Sequence, residues 1–81
     1  MTAARELVLL SRTGCHLCDA ARTDLEAVAG PAGVPWREID VDTDPDLRGE
    51  WGDLVPVVLL DGVCLGYYTV DRDRLAAALV G

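Results

Sequence analysis

The sequence contains no lysine: its seven basic residues are all arginines, scattered among fourteen aspartates and glutamates. A surface that holds nucleic acid needs clustered positive charge to displace counterions from phosphate, so a net charge of -7 excludes that class and an anionic membrane surface with it. Long apolar runs are missing too. No stretch approaches the roughly 20 apolar residues of a membrane span. Met1-Thr2-Ala3-Ala4-Arg5-Glu6 places a single arginine ahead of only four apolar residues, too few for the core of a secretory signal. Cysteine is sparse and odd in number, three in all, with two of them too close in sequence to belong to a disulfide framework. A reducing compartment and a cytoplasmic location are the resulting expectations. Repeats, linkers and low-complexity segments are also absent. What is present is one acidic domain over residues 1–81, with apolar residues at 51% and charged residues at 26%. A chain this long hides only about 60% of its unfolded surface, which leaves room for one sheet and a few helices.

Within that domain, Leu9-Leu10-Ser11-Arg12-Thr13-Gly14-Cys15-His16-Leu17-Cys18 runs from an apolar segment through two turn-formers into a Cys-x-x-Cys pair at the start of an amphipathic pattern. A helix start leaves its first N–H groups unpaired and carries the positive end of the macrodipole, which favours thiolate over thiol. Cys15 and Cys18 are therefore read as a redox dithiol. The ring closed by such a short loop removes little unfolded-chain entropy, so a structural staple is a poor account of the pair. Cys15 sits outermost and is expected to attack, while Cys18, shielded by the first turn, is expected to resolve. His16 between them is the candidate for tuning the thiolate. Cys64 lies mid-way along an apolar run and is expected to be an inert, small apolar side chain.

The rest of the chain alternates between the two hydrophobic periods. Leu7-Val8-Leu9-Leu10 reads as a central strand buried on both faces. Leu17, Ala21, Leu25 and Val28 recur at helical spacing, with Asp19, Arg22 and Glu26 on another face, and Gly30-Pro31 is expected to end this helix. Trp36 to Val41 reads as a strand near the sheet edge, giving a parallel crossover. Asp44 and Pro45 read as the N-cap and first position of a short helix whose Leu47 and Trp51 share a face, closed by Gly52. Leu54 to Leu60 and Val63 to Tyr68 flank Asp61-Gly62, a strong hairpin signal. Asp71 caps a last helix with Leu75, Ala78 and Leu79 inward, ending at Gly81.

The order β-α-β-α-β-β-α, the Cys-x-x-Cys after the first strand and the Val55-Pro56 pair opening the third together resemble the thioredoxin fold in its small glutaredoxin form. Gly14-Cys15-His16-Leu17-Cys18 is similar in particular to the glutaredoxin-like proteins of bacteria. The resemblance implies an α/β, three-layer fold around a mixed four-stranded sheet, and a thiol-disulfide oxidoreductase acting on protein or low-molecular-weight disulfides. It also implies a cis Val55-Pro56 bond beside the dithiol, with the backbone at Val55 pairing with substrate. Arg12 matches the position of a basic residue that holds a glutathione carboxylate, and Gly66 and Tyr67 match a Gly-Gly substrate-binding pair. Tyr67 departs from that pattern, as does Val70 where the pattern has an aspartate. The expected partners are protein disulfides and a dithiol reductant, either thioredoxin-reductase-like or glutathione. The expected state is a monomer without cofactor or metal. Two alternatives stay open: metal or iron-sulfur binding through Cys15, and a redox-inert binding module of the same fold.

Overall fold

The run Leu7-Val8-Leu9-Leu10 has no polar side to turn toward water, and the chain meets that demand by covering both faces of the strand it forms. In the computed structural model, which describes residues 6–80, β1 (Leu7–Ser11) is buried along its whole length. It is followed by α1 (His16–Ala32), β2 (Trp36–Asp40), a 3-10 turn at Val41–Thr43, α2 (Pro45–Trp51), β3 (Val57–Leu60), β4 (Val63–Tyr67) and α3 (Arg72–Val80). The sheet order is β2-β1-β3-β4, with β1 parallel to β2 and antiparallel to β3, and β3 antiparallel to β4. This is the mixed four-stranded sheet and the element order that the sequence predicts.

Alternate side chains of β1 serve two cores. Leu7 and Leu9 pack with Ala21, Leu25 and Ala29 of α1 and with Leu75 and Leu79 of α3. Val8 and Leu10 point the other way, onto Val41, Val57 and the half-buried Leu47 and Trp51 of α2. Helices thus cover both faces, and the molecule has three layers. The hairpin turn forms at Asp61 (φ 53°) and Gly62 (φ 83°), where two left-handed residues match the twist of the flanking strands. Asp44 caps α2 by accepting from the Asp46 N–H at 2.9 Å, and Asp71 caps α3 by accepting from the Arg74 N–H at 3.0 Å. Gly81, expected to end α3, lies outside the described residues, as do Met1 to Arg5. Among the described residues no helix is long and apolar enough to cross a membrane.

Three boundaries differ from the sequence reading, each for a physical reason. First, α1 does not stop at Gly30-Pro31: Pro31 lies inside its last turn, and the helix ends at Gly33. The Gly33 N–H bonds to the Gly30 carbonyl and the Val34 N–H to the Ala29 carbonyl, both at 3.0 Å, which closes the carbonyl end against the loss of one proline donor. Second, Val41 is not in β2; it turns into the α2-side core and is fully buried there. Third, β3 begins at Val57, and Leu54 to Pro56 forms an approach segment whose carbonyls at Leu54 and Pro56 accept from the Tyr68 N–H at 3.2 and 2.9 Å. On α1, Arg22 pairs with Asp19 and Glu38, while Glu26 accepts from Trp36 Nε1 at 3.1 Å.

Leu25 is 0% exposed between β1 and α3, so Leu25→Ala should cost about 2–5 kcal/mol of unfolding free energy through lost burial and the cavity left behind. Leu17→Ala, at 49% exposure on the same helix, should change it by less than about 0.5 kcal/mol; urea unfolding of the two variants checks the contrast.

Candidate functional site

One end of the sheet gathers the loops that matter. The pairs Ser11↔Asp40, Leu10↔Val57 and Val57↔Tyr67 bring the last residues of β1, β2 and β4 level with the start of β3. The Cys-x-x-Cys leaves β1 at that edge. Gly14 takes φ 80°, a left-handed turn that a side chain would resist, and the Cys15 N–H bonds back to the Arg12 carbonyl at 3.3 Å. Cys15 then occupies the N-cap of α1 in an extended conformation, and the Cys18 N–H bonds to its carbonyl at 3.2 Å. His16 is the first helical residue and is exposed.

The two thiols sit in different surroundings. Cys15 is half-buried at the tip of the helix, whereas Cys18 is 0% exposed beneath the first turn. Burial pushes the Cys18 thiol up to about 11, and its hydrogen bond with Cys15 adds to the rise; the Arg12 backbone and the Arg22 charge pull the other way. At neutral pH this holds Cys18 as a protonated, protected thiol.

Val55 and Pro56 stand at the same sheet edge, joined by a cis peptide bond. Pro56 is fully buried, and Val55 packs half-buried against the α2-side core. Tyr67 ends β4 at that edge, 51% exposed, with its ring in edge-on contact with Tyr68 at 5.0 Å between centroids. Gly66 is set one step inward, opposite Val58, and lines a shallow dimple with Leu65, Val70 and Leu75. The edge thus gathers Cys15, Cys18, Arg12, Val55, Pro56 and Tyr67, with Gly66 turned toward α3. Cys64 is half-buried in the α2-side core, its Sγ 3.7 Å from the Gly66 carbonyl oxygen.

Arg12 stands at this edge with partners of its own. Its fork is already filled: Nε and Nη2 donate to the two Asp42 oxygens at 3.1 and 2.9 Å, and Nη1 donates to the Gly52 carbonyl at 3.4 Å. The charges of Asp53 and Asp40 also bear on it, and together with Asp42 they raise its affinity for the proton. Asp40 reaches the dithiol loop as well, accepting from Thr13 Oγ1 at 3.2 Å. The sequence signal for these carboxylates is the alternating Asp40-x-Asp42-x-Asp44 at the end of an edge strand, which gathers acids at one strand end. A second unforeseen group lies on the α1 side, where Arg22, Glu38 and Ser11 are linked by hydrogen bonds.

The family description "Glutaredoxin-like domain (DUF836)" matches residues 6–80. The chain belongs to this family. Among its relatives, the uncharacterized protein Rv0508 of Mycobacterium tuberculosis is 40% identical over 77 residues, 89% of this chain and 79% of that protein. The solution structure of protein Ne2328 from Nitrosomonas europaea superimposes with a TM-score of 0.81 at 28% identity, covering 96% of this chain and 94% of that one. A thioredoxin from Halobacterium salinarum, 23% identical, superimposes with a TM-score of 0.68 over 94% of this chain and 72% of its own. This glutaredoxin-like chain therefore has the thioredoxin fold, and its Cys-x-x-Cys occupies the edge just described.

The burial of Cys18 has two consequences for experiment. Brief iodoacetamide treatment near neutral pH should label Cys15 well ahead of Cys18, read by mass spectrometry of the peptides. A thiol raised from the ordinary 9.0 to about 11 favours the folded state while protonated, so its contribution is present below about pH 9 and is lost as pH rises toward 11. The stability of the reduced protein relative to a Cys18→Ala variant should accordingly fall across that window in urea titrations.

Proposed function

We propose that this glutaredoxin-like protein is a thiol-disulfide oxidoreductase in which Cys15 is the nucleophile and Cys18 the resolving thiol. The observation that carries the reading is the contrast between a half-buried cysteine at the N-cap of α1 and a fully buried one a turn below it. In the first step the Cys15 thiolate attacks a substrate disulfide, forming a mixed disulfide and releasing one substrate thiolate. In the second, Cys18 loses its proton and attacks Cys15 Sγ. The Cys15–Cys18 bond forms, the mixed disulfide breaks, and the second substrate thiolate leaves and takes up a proton. The substrate is reduced by two electrons and the protein oxidised by two. Val55 is suited to align an extended substrate through its backbone, with Pro56 at the same sheet edge as the dithiol and the exposed ring of Tyr67 at the rim.

The oxidised protein needs a dithiol reductant, and the charges at the site favour one other than glutathione. Arg12, the candidate carboxylate partner, is spent on Asp42 with Asp40 and Asp53 close by, so an anionic tripeptide meets negative charge there. Tyr67 stands where a second glycine would let backbone approach, and Val70 offers no side-chain hydrogen bond to a γ-glutamyl group. Each polar group of a bound tripeptide left unpaired costs about 1–3 kcal/mol. A protein dithiol or a thioredoxin-reductase-like enzyme is the reductant this edge suits.

Two sets of measurements test these assignments. Cys15→Ser should abolish reduction of a small aromatic disulfide, while Cys18→Ser should accumulate a mixed disulfide on Cys15 visible by mass; equal activity of both variants would refute the assignment. Turnover coupled to a thioredoxin reductase should exceed turnover coupled to glutathione and glutathione reductase by at least about tenfold, the loss expected from one unpaired group. The reverse order would remove glutathione exclusion and leave the dithiol chemistry standing.

A further inference from the structure

We propose that Arg22, clamped by Glu38, is a positioning residue for Cys18, holding a fixed positive charge one helical turn from the buried thiol so that it can attack in the resolving step. The inference rests on the oxidoreductase reading above. Cys18 and Arg22 are four residues apart on α1, which sets them one above the other on the same side of the helix. Arg22, its side chain 38% exposed, is tied down at the protein surface by carboxylates. Its Nε and Nη2 donate to the two oxygens of Glu38 on β2, both at 2.7 Å, and its Nη1 donates to Asp19. Glu38 pairs in register with Leu9, whose side chain faces α1, so the carboxylate lies on the α1 side of the sheet, at its exposed edge. Ser11, the one polar residue buried among the described residues at 2% exposure, donates its hydroxyl to Glu38 Oε2 at 2.5 Å.

This cluster answers a chemical need. In the second step a fully desolvated thiol must give up its proton before it can attack Cys15 Sγ, and burial opposes the charged form. A guanidinium keeps its charge at every relevant pH, and a fork held at both nitrogens cannot swing away into solvent. Glu38, kept below the usual carboxylate range by Arg22 and by the Ser11 hydroxyl, stays ionised and keeps the clamp shut into the acid range. The other charges around this corner do not replace Arg22. Arg12 is taken by Asp42, Asp40 accepts from Thr13, and β3 presents only Val57, Val58, Leu59 and Leu60. On the α3 side, Arg72 is taken by Asp24. Asp19 and Glu38 are negative, so Arg22 is the cation here that favours the Cys18 thiolate once its proton has passed to water.

Mixing the reduced protein with a chromogenic aromatic disulfide, in a Cys64→Ala background, separates two thiol releases: the attack by Cys15 and the resolution by Cys18. Relative to the first phase, the second should slow about threefold in Arg22→Gln, with its pH midpoint displaced upward by about half a unit. Arg22→Lys, which keeps the charge, should restore most of the rate. The double variant Arg22→Glu with Glu38→Arg re-forms the ion pair with reversed polarity, so its melting temperature should recover while the second phase stays slow. A double variant that regained the wild-type rate and pH profile, or an Arg22→Gln protein with an unmoved midpoint, would reduce the cluster to a structural brace and overturn the proposal. A wild-type protein with no second phase would instead bring down the oxidoreductase reading itself.

Discussion

The burial of β1 on both faces is the constraint from which the rest of the structure follows. A strand whose side chains are apolar in both directions must be central and must have helices on each side, because either face left open would expose a row of Leu and Val. Leu7 and Leu9 call for α1 and α3, and Val8 and Leu10 call for α2 and its preceding turn. A parallel neighbour for β1 requires a crossover, and α1 is that crossover. The helix must therefore begin within a few residues of the end of β1. The dithiol stands in that connection, at the carboxyl end of the strand, where open α/β sheets leave room for a ligand.

Much of this is legible in the chain because it depends on local chemistry. The apolar run of β1, the Asp61-Gly62 turn, the Asp44-Pro45 start of α2 and the Asp71 cap of α3 each need only neighbouring residues to explain them. What was not legible depends on residues far apart in sequence. Arg12 meets Asp42 thirty positions on and Arg22 meets Glu38 sixteen positions on, and no periodicity signals either pair. The end of α1 failed for a different reason. Gly30-Pro31 is the stronger breaker by composition, but a proline in a last turn removes only one donor, and Gly33 supplies the bonds that terminate the helix. Val41 continues the alternation of β2 in the sequence, while its side chain is needed in the α2-side core.

Charge at the functional edge follows from the same layout. The carboxyl end of β2 delivers Asp40 and Asp42 to the loop that carries the dithiol, and Asp53 arrives just ahead of Val55 and Pro56. Their contacts with Thr13 and Arg12 tie that loop to the end of the edge strand. The same contacts occupy the Arg12 guanidinium. Exposed pairs of this kind contribute only about 0–1 kcal/mol to stability, so their main effect is on the potential at the edge rather than on the fold.

The difference in burial between the two cysteines is a consequence of where a helix starts. A residue at the N-cap has one side toward solvent and the unpaired N–H groups of the first turn on the other, and Cys15 is there. Three residues later the helix has turned its inner face to the sheet, so Cys18 joins the stripe of Ala21, Leu25 and Ala29 and loses contact with water. Residues at that spacing have Cβ atoms about 5–6 Å apart, and a disulfide needs roughly 3.5–4.5 Å, so closing the bond asks for a shift only in the first turn. The hydrophobic clusters on both faces of β1 hold the helix beyond that turn. A ring this short adds little to stability when closed, and the core does not depend on it. The proposed change between dithiol and disulfide would therefore be confined to that first turn, while Leu25, Ala29 and the strands beneath them keep their places.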